Sequence, residues 1–388
     1  MNQSGPNRSS MARTRLSIAL AVAGLSACAG TGTPASESSP DLFDNAASEP
    51  TERPELTTSI PSVAAPPKSR ATTTHVESPT VESPTVDPTV EPADSPPITW
   101  PSPRPNGPTT LGRLADSSLN ETSGLAVSLS EDRLLWAIND SGQAALLHTV
   151  DLSGGSHGQW SVAAENRDWE DLDSGFLDGV PTLVIADTGD NLRQYEQSHL
   201  LLITEPDVTA GPSDSPLPVR KLSFRFPDGA RDVESVALAE NALWLISKEA
   251  IKGGVRSAAR LYRLDLGAAL ASPDSVTEAE FTGTLRRARV GLAARLAGAI
   301  AGVDLDQPTA FDIDEDRGAA WVLTYQQVQR FDRQGDEPWA STLARRPDAQ
   351  YWHGLRQAES LAVTRSGLVV YTSEGVSARL EALPPDWR

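Results

Sequence analysis

Residues 168–175 read DWEDLDSG, with four carboxylates (Asp168, Glu170, Asp171 and Asp173) around Trp169. Acids packed this densely suit three tasks: holding a hard cation through oxygen, moving a proton, or accepting backbone N–H groups. The stretch is one copy of a recurring phrase: an acid, a small or polar residue, then alternating apolar positions. It reads ETSGLAV from Glu121, WEDLDSG around Glu170, VESVALA around Glu234, FDIDEDR around Asp312 and AESLAVT around Glu359. If each copy opens an equivalent strand, the five acids converge on one place. Clustered carboxylates raise one another's pKa values or need compensation. Three compensations are open: a cation, chiefly Ca²⁺; basic side chains reaching in; or hydrogen bonds, including caps on the backbone of the next repeat. Trp169 is expected beside Glu170 at the same mouth. Asp168 is echoed by Asp232, two residues before Glu234, which assigns it to an entry turn. Asp171 and Asp173 read as rim or turn residues.

Polar clusters follow each copy at the end of the next apolar run. They are Asn139 with Asp140, the DTGDN stretch holding Asp187, Asp190 and Asn191, then Lys248, Tyr325 and Glu374. DTGDN joins oxygen ligands to a Gly that permits close backbone approach. It lacks the spacing of an EF-hand loop, and a β-turn tied by side-chain hydrogen bonds explains it equally well. Lys248 is the one basic residue aligned with these clusters and has the charge to neutralise two of the acids.

Other chemistry is poorly supplied. Cys28 is the single cysteine, so no intramolecular disulfide or Cys-rich zinc site can form, and only five histidines are present. Residues 154–158, GGSHG, fit the nucleophile-elbow pattern by letter. They lie between two β-type runs, whereas an elbow joins a strand to a helix.

The elements that must position the acids are short strands. From residue 109, runs of four to eight apolar residues alternate with Gly, Asp, Asn and Pro turns. Each acid phrase is followed by second and third runs, and most copies by a fourth: QWSVAAE, KLSFRF, AEFTGTL and WASTLA. Four-stranded units repeated at this spacing indicate an all-β fold, a β-propeller of five blades. The last copy lacks a fourth strand, which TLGRLA at 110–115 supplies to close the ring. A sixth blade would have to hide between Glu234 and Asp312. That interval reads better as an insertion, because Leu292, Leu296 and Ile300 in 286–302 have helical spacing.

The N-terminus reads as an address. Arg13 and Arg15 precede the apolar run Leu16 to Leu25, and Leu25-Ser26-Ala27-Cys28 resembles the lipobox of bacterial lipoproteins. The resemblance implies a signal peptide over 1–28, lipid attachment at Cys28 and an extracytoplasmic, membrane-anchored domain. Residues 29–108 are rich in Pro, Ser, Thr and Glu and carry the repeat VESPTVESPTVDPTVEP, which suits an extended tether. The domain then occupies 109–388. A net charge of −19 argues against a nucleic-acid partner.

Together, ETSGLAV, LLWAINDSG, NRDWEDL, IADTGDN, FPDGARDVESVAL and QAESLAV resemble a group of secreted and lipid-anchored bacterial propeller-like proteins. The resemblance spans nearly all of 109–388 and implies the fold but no reaction. The fourth repeat departs from it, with Asp312 where the others carry Glu. More distantly, the layout is similar to the calcium propellers of the gluconolactonase, paraoxonase and phytase-like groups. Their ligand sets do not match residue by residue, so no catalytic residue is carried over. Two functional expectations follow: binding of a ligand or envelope partner at an acidic channel mouth, through Ca²⁺, or Ca²⁺-dependent hydrolysis of an ester, lactone or phosphoester with one Glu as general base.

Overall fold

The computed structural model describes residues 108–249, 251–252, 255–286, 288 and 305–387. The expectations for the signal segment, Cys28 and the tether, and the helical spacing at Leu292, Leu296 and Ile300, lie outside the described residues. Strand β1 (Thr109–Arg113) comes first. Blade one is β2 (Thr122–Val127), β3 (Leu134–Asn139), β4 (Leu146–Asp151) and β5 (Ser156–Ser161). Blade two is β6 (Trp169–Leu177), β7 (Val180–Asp187), β8 (Ser198–Thr204) and β9 (Arg220–Arg225). Blade three is β10 (Val233–Ala239) and β11 (Ala242–Ser247), then, after the small hairpin β12 (Ile251–Lys252) and β13 (Val255–Arg256), β14 (Arg260–Asp265). Helix α1 (Leu266–Ala271) and β15 (Val276–Glu278) lead to its outer strand, β16 (Glu280–Thr284). Blade four is β17 (Pro308–Asp314), β18 (Ala319–Thr324), β19 (Gln327–Asp332) and, beyond helix α2 (Trp339–Ala344), β20 (Ala349–Trp352). Blade five is β21 (Ala358–Val363), β22 (Val369–Ser373) and β23 (Arg379–Leu383).

Within each blade the strands are antiparallel neighbours in order, and β1 pairs with β23 as the fourth strand of blade five. The first strands β2, β6, β10, β17 and β21 adjoin one another around the ring, β21 meeting β2 again. This is a five-bladed β-propeller. Its closure joins the first described strand to the last and covers the edge that β23 would expose. Blade two gains a fifth strand, because β15 pairs in parallel with β9 and covers that edge too.

The strands form where the sequence alternates, and two-residue turns join β6 to β7, β10 to β11 and β18 to β19. Asp178 and Gly179 both take positive φ between β6 and β7, the geometry that matches the twist of a tight hairpin. WASTLA, expected as the fourth strand of blade four, is helix α2 instead. Pro338 starts it, and Trp339, Thr342 and Leu343 bury one helical face, a period of 3.6 rather than 2.

The core is not one mass but five, each between two neighbouring blades. Trp136 lies between blades one and two with Leu172 and Leu183, and Trp244 lies between blades three and four with Phe311 and Trp339. Trp321 lies between blades four and five with Leu361 and Tyr371. The propeller is therefore a ring of sheet-on-sheet packings, and the alignment of its inner strands depends on what bridges one blade to the next.

Candidate functional site

All five inner strands share one irregularity. Thr122, Trp169, Val233, Pro308 and Ala358 pair with Asn139, Asp187, Ser247, Thr324 and Ser373, and the register slips immediately afterwards. The skipped residue is a bulge that re-aims its side chain. The equivalent residues are therefore Ser123, Glu170, Glu234, Thr309 and Glu359. Only three of the five expected acids occupy this position.

Glu121 lies two residues earlier, where its Oε2 accepts from Gln143 Nε2 at 2.6 Å. Asp312 lies three residues further along its strand and is the counterpart of Asp173. In the two blades without an acid, a hydroxyl bridges to the next blade: Ser123 Oγ donates to Trp169 O at 2.8 Å and Thr309 Oγ1 to Ala358 O at 2.7 Å.

The register role belongs to a second layer of acids. Asp171 accepts from Val236 N at 2.8 Å, Asp173 from Leu238 N at 2.6 Å and Asp312 from Val363 N at 2.6 Å. Each donor belongs to the next inner strand, and each carboxylate also accepts from the residue after itself. Asp171 and Asp173 are thus buried blade-to-blade staples, not rim residues. Burial pushes the Asp312 carboxyl up to about 7 and raises those of Asp171 and Asp173 as well.

Trp169 is also displaced from its expected place. It is fully buried against Trp136, Trp160 and Leu183. Neighbours in a strand point to opposite faces, so the residue before a mouth acid faces the inter-blade core.

Around the mouth, Glu170 and Glu234 meet the loops that enter and leave their blades. One carboxylate oxygen each from Asp140, Asp168 and Glu170 lies within 4.8 Å of the others, and so do those from Glu170, Asp232 and Glu234. Asp168 and Asp232 are more than turn residues. Their repeated D-x-E spacing was the available signal.

Glu170 is 7% exposed, and among the described residues no donor lies within hydrogen-bond distance of its carboxylate. Burial, then the charge of Asp140, holds it well above the usual carboxylate range. Burial likewise pushes Asp140 up to about 6. Gly189 packs over this group: a Cβ there would stand 2.2 Å from Glu170 Oε1 and 2.4 Å from Asp168 Oδ2.

Lys248 is seated on Glu234 Oε1, with its Nζ 5.9 Å from the centre of the Tyr325 ring. On the far side, burial and the neighbouring Glu374 raise the carboxyl of Glu359. Burial and Glu359 raise the phenol of Tyr325.

DTGDN does turn work. Asp190 accepts from Gln194 N and Tyr195 N at 2.9 Å each, and Asp187 Oδ1 accepts from Asp168 N at 3.0 Å. Asn191 is exposed. Asn139 braces the blade-one entry, accepting from Glu121 N and donating to Ser118 O.

The opposite mouth opens into a cavity of about 380 Å³ lined by residues such as Gly175, Leu238, Ile313 and Val363. Two of its acids are already served. Arg317 holds Asp314 at 2.9 Å, and Glu240 N donates to Glu315 at 3.1 Å. At the Glu170 end, by contrast, no donor reaches the Glu170 carboxylate among the described residues, and Lys248 acts on it only from a distance.

No family model matches the chain, and no curated protein matches it. Among solved structures it is similar to one described as "Streptogramin B lyase structure", at 12% identity and a TM-score of 0.35 over 70% of this chain and 95% of that one. A likeness that loose says nothing of chemistry, and the fold rests on the five sheets themselves.

Proposed function

We propose that this protein is a lipid-anchored, extracytoplasmic β-propeller that binds a ligand at its acidic mouth through a hard divalent cation, with Ca²⁺ the best fit. Asp140, Asp168 and Glu170 would hold the ion. Glu170 carries the reading: a buried carboxylate among carboxylates, without a donor, calls for a positive partner. Lys248 is committed to Glu234. A donor set of oxygens alone suits Ca²⁺ better than Zn²⁺, which favours His and Cys. Three side-chain oxygens would leave much of a Ca²⁺ shell for ligand oxygens, since the ion takes about six to eight. When bound, the ion would polarise a ligand oxygen. Glu359, Glu374 and Tyr325 would supply hydrogen bonds across the mouth. The lipobox-like N-terminus supports an extracellular setting, where weak Ca²⁺ sites, with Kd of about 10⁻⁴ to 10⁻³ M, are sufficient.

Isothermal titration with Ca²⁺ tests this directly. Saturable binding that disappears in Glu170→Gln is expected, and no binding by the wild type would overturn it. A panel of esters, lactones and phosphoesters with and without Ca²⁺ decides the hydrolase alternative, which Ca²⁺-dependent turnover abolished by Glu170→Gln would establish.

A further inference from the structure

The two carboxylate triads of the mouth share Glu170 but differ in what is already seated on them. Among the described residues no basic side chain is in ion-pair contact with Asp140, Asp168 or Glu170: Ser141 N reaches Asp140 and the Ser141 hydroxyl reaches Asp168, while Lys248 and, at Asp168, Arg167 act only from a distance. The triad of Glu170, Asp232 and Glu234 is served by a charge. Lys248 holds Glu234 Oε1, and Asp190 N donates to Asp232 Oδ1 at 2.9 Å.

Lys248 extends from the loop that follows β11, and Tyr325 lies beside its ammonium. An ammonium on a side chain is a cation that cannot diffuse away, so it occupies its partner at high effective concentration. Glu234 is 4% exposed, and a charge so buried is costly without a counterion. The fold thus shows what this part of the mouth accepts, because one of its own side chains already fills it with positive charge.

We propose that Lys248 is a built-in cation occupying the second of two adjoining cation subsites, and that it limits the mouth to one divalent ion. This rests on the reading of the mouth as a cation site. The first subsite is Asp140, Asp168 and Glu170. The second is Glu170, Asp232 and Glu234, with Glu170 common to both. A divalent ion in the second subsite needs the Glu234 carboxylate on which the Lys248 ammonium is seated. Removing the ammonium without replacing its charge leaves that oxygen free and the triad uncompensated, which is the condition under which a second ion enters.

Equilibrium dialysis of the whole protein against radiolabelled Ca²⁺ counts ions per chain. Wild type should bind one, Lys248→Met two, and Lys248→Arg, which keeps the charge, one. A wild type that binds none overturns the cation reading itself. A wild type that binds one while Lys248→Met also binds one overturns only the role of Lys248, and a wild type that binds two overturns the limit. If Lys248→Met folds only with Ca²⁺, as circular dichroism would show, the count is taken on the refolded chain. Two ions per folded chain then support the proposal and one overturns it.

Discussion

Glu170→Gln is expected to have opposite effects with and without calcium, and that crossing is the strongest available test. Without an ion, Glu170 is buried within 4.8 Å of Asp140 and Asp168 oxygens and again of Asp232 and Glu234 oxygens. A like charge at about 4 Å costs roughly 4 kcal/mol at an effective dielectric of about 20. Protonation relieves most of this, because the Glu170 carboxyl already sits well above its usual range. The neutral amide should therefore stabilise the calcium-free protein by about 1–2 kcal/mol, a fraction of the unrelieved repulsion.

With calcium at roughly 100-fold over Kd, the wild type gains about 2.7 kcal/mol by mass action. For a domain of about 280 residues, unfolding entropy of about 2.1 cal/mol/K per residue makes that close to 5 °C in Tm. Differential scanning fluorimetry in EDTA and in saturating Ca²⁺ reads both effects. Glu170→Gln should melt about 2–3 °C above wild type in EDTA, and it should lose nearly all of the calcium increment. An unchanged wild-type Tm on adding Ca²⁺, or a variant destabilised in EDTA, would refute the reasoning.

Three further outcomes follow from the same geometry. Gly189→Ala places a Cβ 2.2 Å from Glu170 Oε1, so calorimetry should show Ca²⁺ affinity falling by about tenfold or more while circular dichroism is unchanged. Asp312 titrates near 7 when folded and near 3.8 when unfolded, so its contribution to stability is complete below about pH 4 and is lost as pH rises toward 7; urea melts across that window should show a shallower slope in Asp312→Asn, and an identical slope would count against the staple being protonated. Deleting residues 109–113 leaves β23 as an open edge, and light scattering should then show aggregation on warming where the intact protein remains monodisperse.

The staples show where sequence patterns stop being informative. In the sequence Asp171 and Asp173 read as rim or turn residues, and Asp312 as the ring acid of its repeat. Their backbone donors Val236, Leu238 and Val363 are about 50 to 65 residues away, so nothing local reveals the pairing. By contrast, the closing role of 110–115 was legible because an incomplete last repeat demands a strand from elsewhere. WASTLA misled because six residues with a Trp and a Leu fit either period, and only packing against Phe311 and Phe331 selects the helix.

DWEDLDSG contains both kinds of information. Its alternation, its place in the repeat and the D-x-E echo at Asp232 and Glu234 are properties of the chain alone, because strand and turn preferences act over a few residues. They determine a propeller, its five blades and the convergence of acid-bearing strands. Which side chains meet was decided by the tertiary fold. A bulge after the first paired residue of each inner strand moves the mouth position by one, and one residue in a strand is the difference between opposite faces. That single step sends Trp169 into the core and Asp171 to the next blade. It leaves Glu170 facing Asp140, Asp168 and Asp232, with the only nearby ammonium, among the described residues, already held by Glu234.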